Sequence, residues 1–466
     1  MKVSIFTPTH NPTHMLEAAT SIANQTYLHE GGQIEWLVGI NGDVLEGDLH
    51  RVKEIVEAAG VSFGVVHQHR LGKIIGALKR SLCDAASGDV FLELDHDDML
   101  APTAVTRIAD FVPDVDSSVF VYSDCVEFID GAVQSFTFSR DYGWQSEPVL
   151  CDAPGTCVHG KELLNTKAFE PTARSFSQIL YAPNHFRAWT RKAYYAAGGH
   201  DSSQETCDDH DLLCRTYLCP ETRIHLVKEP LYYYRRGSQI GNTFAGTVNS
   251  QIQVLSGQGT AKYPDGSSVP DFAQPIILRD KYLHKMIEVE AHRRGNALLL
   301  DLGGGISCPS GWTSVDTQGG AVTRDVRRGL PFADSSVFAI RAFDFLEHLE
   351  PKDAAWFIGE CWRVLQHGGW LLTRTPSDNG AGASCDLSHL SKWNTRSWAY
   401  FWSSGLKPYR DQSFPGLRAD FAPVRIFDET VTLGPWPCRW DVPYVVADLM
   451  AIKGSERVPG RVFVAR

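Results

Sequence analysis

Asp95, His96, Asp97 and Asp98, in the stretch FLELDHDDML, put three carboxylates within four positions. Like charges that close repel one another, so open water or a bound cation must relieve them. The Phe91–Leu94 run before them is apolar enough for a buried strand, which sets the acids at a strand end. Hard divalent ions such as Mg²⁺ or Mn²⁺ take carboxylate oxygens, commonly one or two from the protein plus substrate phosphates. A second acidic group, CDDHDLL, opens a helical pattern at Asp208. Its acids suit general-base chemistry or plain helix capping, and Asp211 fits the latter as well as anything else. A third feature is ALLLDLGGG, Ala297 to Gly305, a buried strand running into glycines. Glycines there let the backbone come close to a ligand. His389 is a side-chain type that takes a proton from a hydroxyl near neutral pH, although a lone His is more often structural.

The elements that must hold these residues follow from periodicity. KVSIFTP is a strand ending at Pro8, and HMLEAATSIANQ carries helical spacing of Met15, Leu16, Ala19 and Ile22. EWLVGING, VSFGVVHQ and DVFLEL read as further strands, separated by LHRVKEIVEAAG and KIIGALKRSLCDAASG as helices. Such alternation predicts a parallel, doubly wound α/β sheet, whose ligands bind at the carboxyl ends of the strands. Pro8, Asn41 and Asp95 all fall at that end. From about Gly237 to Asp271 the chain becomes rich in Gly, Ser, Thr, Gln and Pro, the texture of a linker. Arg279 to Asn296 then reads as a helix with a basic last turn, which suits the helix dipole. A second α/β pattern begins at Ala297. The expected division is residues 1–245, a linker with connecting helix over 246–295, and residues 296–466.

The bulk numbers fit an ordinary globular protein of two or three domains. Of 466 residues, 43% are apolar and 21% charged, and the net charge is −11. That balance disfavours nucleic acid as the acceptor or main partner without closing off a local basic patch. No apolar h-region follows a basic start, and no apolar run is long enough for a membrane span, so a cytoplasmic chain is expected. The eleven cysteines lie scattered, without CxxC spacing, which argues for reduced core thiols and against a zinc site.

Residues 2–240 resemble the family-2 glycosyltransferases of the GT-A fold. The stretches that carry the resemblance are SIFTPTHNP, ANQTY, WLVGINGD, LGKIIGALKRSLCDAASGDVFLELDHDD, AGGHDSSQETCDDHDLLCRTYL and EPLYYYRRGS, in that order. The resemblance implies a nucleotide-sugar donor, a UDP-sugar being favoured, held near Pro8, Thr9, Asn41, Asp43 and Lys73. It implies a divalent ion, Mn²⁺ or Mg²⁺, with Asp97 as direct ligand and Asp95 toward ribose or sugar, and Asp98 supporting the loop. It makes Asp209 the general base of an inverting transfer, with Asp208 the first acid of the pair. Two departures stand out. Asn41 occupies the place of an acid facing the base, so uracil is allowed but not demanded. Arg235 and Arg236 follow Tyr234 where a His is frequent, so Arg235 is the expected diphosphate neighbour. His185 and Arg187 are candidates for the acceptor mouth.

Residues 296–466 resemble the class I S-adenosylmethionine-dependent methyltransferases. DLGGG is similar to their first motif, TRDVRRGLPFADSSVFAIRAFDFLEHL to the central block, and ECWRVLQHGGWLLTRTP to the helix–turn–strand that follows. The resemblance implies cofactor contacts from Asp301, Gly303, Gly305, Asp316, Asp325, Phe343 and Asp344, with His389 as a candidate base. The third glycine usual in the first motif is absent, Ile306 and Ser307 following instead. The whole chain then reads as an enzyme that transfers a sugar to a glycan, protein or other hydroxyl acceptor and methylates the product. The alternative is a glycosyltransferase whose second domain is a non-catalytic binding or scaffold module.

Overall fold

The computed structural model describes residues 1–41, 44, 46–67, 75–137, 144–177, 182–203, 208–237, 273–402, 406–433, 440–454 and 463–464. The chain divides into two compact units, Met1–Leu255 with Gly259–Val289, and Ser256–Gln258 with Glu290–Arg466. Both are α/β, the class read from the sequence.

In the first unit the strands are β1 (Lys2–Thr9), β2 (Gln33–Ile40), β3 (Ser62–His67), β4 (Val90–Glu93), β5 (Met99–Leu100), β6 (Val119–Ile129), β7 (Gln134–Ser135), β8 (Gln145–Leu150), β9 (Glu162–Lys167), β10 (Arg187–Thr190) and β11 (Arg223–Arg236). They form one sheet in the order β3-β2-β1-β4-β10-β6-β11-β5, with β7, β8 and β9 beside β6. Strands β1 to β4 are parallel, as alternation with helices requires. Their side chains, among them Val3, Ile5, Trp36, Val38 and Leu92, are buried in one core. Burial on both faces is why β1, β2 and β4 read as nearly continuous apolar runs, whereas β3, at the sheet edge, is only partly buried.

The sheet is not parallel throughout, as the sequence pattern had suggested. Strand β10 runs antiparallel to both β4 and β6. The chain leaves β6 at its carboxyl end and re-enters the sheet from that side at β10. A return without a crossover reverses the strand direction. That reversal brings Arg187 into register with Glu93.

The second unit has β12 (Leu299–Leu302), β13 (Thr313–Asp316), β14 (Val322–Thr323), β15 (Val337–Phe343), β16 (Leu365–Pro376), β17 (Phe421–Leu433), β18 (Trp440–Ala451) and β19 (Phe463–Val464), ordered β14-β13-β12-β15-β16-β18-β17-β19. Strands β12 to β16 are parallel, and β18 is antiparallel to β16 and β17. The helix Pro351–Val364 makes the β15–β16 crossover and starts with Pro at its first turn, where a missing N–H costs nothing. The connecting helix spans Ala273–Arg293. In each unit the chain order reverses beside the central strand, between β1 and β4 and between β12 and β15. The crevice outside the carboxyl ends at such a reversal is where open α/β sheets bind ligands.

One charge in the first core sets a constraint. Glu93 is fully buried inside β4. Lys79, from the helix Ile75–Ala85, places Nζ 2.6 Å from Glu93 Oε1 and 3.3 Å from Asp208 Oδ2. Removing one partner of a buried pair strands the other in a low dielectric. Lys79→Met is expected to destabilise the first unit by roughly 3–5 kcal/mol. Chemical denaturation followed by hydrogen exchange in β4 measures this, and wild-type protection in the variant would refute it.

Candidate functional site

The first site lies at the carboxyl ends of β1, β2 and β4. Thr9 closes β1, its carbonyl accepting from the Asn41 N–H at 2.8 Å, so Pro8, Thr9 and Asn41 share one rim. Asp43 and Lys73 lie outside the described residues. Asp95 to Asp98 follow β4 directly.

The three acids have different surroundings. Asp98 is 1% exposed and satisfied from within: Oδ1 accepts from the Arg235 N–H at 2.7 Å and Oδ2 from the Tyr232 hydroxyl at 2.8 Å. Asp95 reaches His185, with Oδ2 3.7 Å from Nε2. Its carboxyl is pushed up by burial, with His185 and Lys79 opposing and Glu93 and Asp97 adding to the rise. Burial also raises Asp97, against the pull of Arg235 and His14. Burial raises Asp98 furthest, with Asp97 and Asp95 contributing. In each of the three, burial is the main force against ionisation.

Arg235 does not face open space. Its guanidinium is 3% exposed, pairs with Glu17 and with Asp130 (2.7 Å), and donates from Nε to the Asp97 carbonyl at 2.9 Å. This cation braces the acidic loop from behind.

Asp208 and Asp209 open the helix Asp208–Leu218. Asp208 is buried beside Lys79, and burial pushes its carboxyl up to about 6 with Lys79 opposing. Asp209 is one-third exposed, and Oδ2 lies 2.7 Å from Arg187 Nη1. Although burial works against it, Arg187 and then Lys79 hold Asp209 far below the usual carboxylate range. Arg187 Nη1 is also 3.6 Å from Glu93 Oε2. Asp211 turns inward, to Arg215 at 2.7 Å and to the Tyr282 hydroxyl at 3.1 Å. His185 stacks on Tyr232 and Tyr234, with ring centroids 5.0 and 5.2 Å away. The strand-end acids and the helix-start acids thus meet around Lys79, His185 and Arg187.

Sequence reasoning missed Glu93 and Lys79 as the centre of this network. The signal was present: FLELD sets a Glu inside a run that is otherwise apolar. A buried carboxylate in such a place needs a cation nearby.

In the second unit the glycine turn after β12 has the geometry of a cradle. Gly303 has φ +75°, and a Cβ there would meet Phe345 Cδ2 at 2.5 Å. Gly305 has φ +48°, and its Cβ position lies 3.6 Å from Asp316 Oδ2. Asp301 is buried in a paired contact with Arg341, at 2.7 Å and 3.1 Å. Asp316 ends β13 facing the turn. Asp325 caps the short helix Val326–Arg328 through the Arg327 N–H at 3.0 Å, and Arg327 holds its carboxyl down. Phe343 ends β15 with the Arg341 guanidinium 5.1 Å from its ring centroid, and Asp344 follows at φ +49°. Gly303, Gly305 and Asp316 therefore stand together at the turn, with Asp301 beneath Gly304, while Asp344 follows the neighbouring strand and Asp325 caps a separate short helix. His389 lies against Glu347 and His348.

Comparison with known proteins separates the two units. A family model described as a methyltransferase domain matches residues 312–373. A probable S-adenosylmethionine-dependent methyltransferase of Mycolicibacterium smegmatis is 44% identical over 57 residues, 11% of this chain and 21% of that protein. The chain thus spans about a fifth of the curated relative it matches. Residues 1–349 of S. aureus TarS in complex with UDP-GlcNAc superpose with a TM-score of 0.39 at 14% identity, over 64% of this chain and 75% of that one. A mannosyltransferase from Pyrobaculum calidifontis, in complex with GDP-Man and Mn²⁺, gives 0.36 at 16%, over 63% and 74%. Similarity at that level bears on neither substrate nor mechanism. The stretch that matches the methyltransferase domain, residues 312–373, lies in the second unit and begins after the glycine turn.

Proposed function

We propose that the protein is a bifunctional glycan-modifying enzyme. Its first unit transfers a sugar from a nucleotide-sugar donor, with a UDP-sugar favoured, to a hydroxyl acceptor with inversion. Its second unit methylates the glycan or the acceptor from S-adenosylmethionine. The observation that carries the first half is the placement of Asp95 and Asp97 directly after β4, with Asp209 paired to Arg187, which stands opposite Glu93 in that strand. A glycine cradle opposite Asp316 supports the second half.

The donor set at the first site fits a hard divalent ion, Mn²⁺ or Mg²⁺. Asp97 and Asp95 supply carboxylate oxygens directly after β4, and they would hold it. When bound, such an ion stabilises the negative charge that builds on the leaving diphosphate. Asp209 stays ionised through Arg187 and is open enough to accept the acceptor's hydroxyl proton. Arg187 and Lys79 hold that carboxylate in place. Asn41 offers an amide to the base, since its oxygen accepts from an N–H. Arg235 acts here as a brace for Asp97 and Asp98 rather than as a direct diphosphate ligand.

In the second unit Gly303 and Gly305 would let backbone approach the cofactor, while Asp316 accepts from ribose hydroxyls. The cofactor supplies an electrophilic methyl group. Among the described residues nine cysteines are free thiols, in keeping with a reducing cytoplasm. No helix among the described residues is long and apolar enough to cross a membrane.

Incubation with a panel of nucleotide sugars and Mn²⁺ tests the first activity, and no donor cleaved by the wild type would refute it. Asp97→Asn is expected to abolish metal-dependent donor cleavage, whereas Asp98→Asn only weakens it; equal losses would contradict the division of roles. Asp209→Asn is expected to lower kcat on the order of 10²–10⁴-fold while leaving donor affinity intact. A matching loss of donor affinity, read by calorimetry, would remove Asp209 from the base role. Gly303→Arg, placed at a positive φ against Phe345, is expected to abolish S-adenosylmethionine binding in the same instrument. Wild-type affinity in that variant would move the cofactor elsewhere.

A further inference from the structure

Glu347, His348 and His389 stand together just beyond β15. Each offers a ligand atom, and the three atoms all lie within 4.8 Å of one another. Glu347 is 1% exposed. Its Oε2 accepts from the Thr375 hydroxyl at 2.6 Å, which fixes the carboxylate. Its Oε1 is buried with no hydrogen-bond partner among the described residues. A buried carboxylate oxygen left alone is costly unless something fills the space in front of it. Nδ1 of His389 is likewise buried and unpartnered, on a side chain 8% exposed.

The backbone holds this arrangement. The N–H groups of Leu390 and Ser391 donate to the Glu347 carbonyl at 2.7 and 3.1 Å, pinning the His389 segment to the Glu347 turn. The second nitrogen of His389 faces Asp386 Oδ2 at 3.9 Å. His348 keeps Nδ1 near Ser388, 3.2 Å from the hydroxyl and 3.4 Å from the carbonyl. An imidazole whose far nitrogen is engaged presents the near one as a ligand, the usual outer-shell arrangement around metals. Burial raises the Glu347 carboxyl, with Thr375 opposing and Asp344 adding to the rise.

We propose that Glu347, His348 and His389 bind a divalent first-row transition metal, whose open positions receive the acceptor hydroxyl of the second unit. Two imidazoles and one carboxylate suit Zn²⁺, Fe²⁺, Co²⁺ or Mn²⁺ better than Mg²⁺. The place fits the role. Phe345, two residues before Glu347, packs on the Gly303 turn, so the metal stands beside the cofactor crevice. A hydroxyl on the metal loses its proton to water at lower pH than a free one. Its oxygen then forms a bond to the methyl carbon, and the C–S pair returns to sulfur, neutralising the sulfonium. His389 in this reading is a ligand and not the base. The metal site stands on the geometry alone, whereas its effect on the acceptor rests on the methyl-transfer reading.

The full chain, stripped with a chelator, is titrated with Co²⁺ by equilibrium dialysis and visible absorption. The wild type and Asp97→Asn are both expected to show an imidazole-ligated Co²⁺ spectrum. His348→Ala, at an exposed residue, and His389→Ala are expected to weaken that site at least tenfold. Unchanged Co²⁺ binding in both, or no such spectrum in the wild type, overturns the metal site. S-Adenosylmethionine calorimetry on the same proteins reads the other claim. Cofactor binding retained while Co²⁺ is lost supports the assignment. A wild type that binds Co²⁺ but no cofactor overturns the methyl-transfer role and leaves the metal site standing.

Discussion

The fixed point of the first unit is Glu93, a carboxylate buried within a sheet strand. It cannot remain charged there without Lys79 and Arg187, and those two cations in turn organise everything around them. Lys79 reaches Asp208, and Arg187 reaches Asp209. Two acids at a helix start are thereby tied to a strand whose next residues are Asp95 to Asp98. The antiparallel entry of β10 is part of the same solution, because only that direction sets Arg187 opposite Glu93. One buried charge thus links strand order, helix position and the alignment of the acidic residues.

The charges are not in balance. Glu93, Asp95, Asp97, Asp98, Asp208 and Asp209 face Lys79, Arg187 and Arg235, and Arg235 is shared with Glu17 and Asp130. Burial raises Asp95, Asp97 and Asp98 above their usual range, and neighbouring carboxylates add to the rise. Asp209 moves the other way, because its partner lies at contact distance. Within one small volume the fold therefore makes one carboxylate that stays ionised and others whose ionisation burial opposes, and the local pairing separates them.

Much of this was legible in the sequence, and the rest was not for identifiable reasons. Strands β1, β2 and β4 were readable because parallel strands buried on both faces have little polar interruption. The place of Asp95 and Asp209 was readable because acids after a buried strand, or opening a helix, stand out. The reversal at β10 was hidden: RAWT is too short for its direction to register in composition. The fate of Arg235 was hidden too, since Glu17 and Asp130 both lie more than a hundred residues earlier in the chain. In the second unit the glycine turn was plain. The grouping of Glu347, His348 and His389 was not, because cysteine spacing says nothing of a site made from imidazole and carboxylate.

The two units solve a shared problem with different means. Each sets acidic side chains at the carboxyl ends of parallel strands, where a reversal of strand order opens a crevice. In the first unit the acids are close in sequence, and burial of the strand behind them forces the crowding. In the second they are spread over Asp316, Asp344 and Glu347, and glycines create room between them. Crowded carboxylates raise the local demand for positive charge, whereas spaced ones stand apart as single acceptors. The same strand-end position is thus furnished in two ways, and what differs is how many side chains the turn must accommodate.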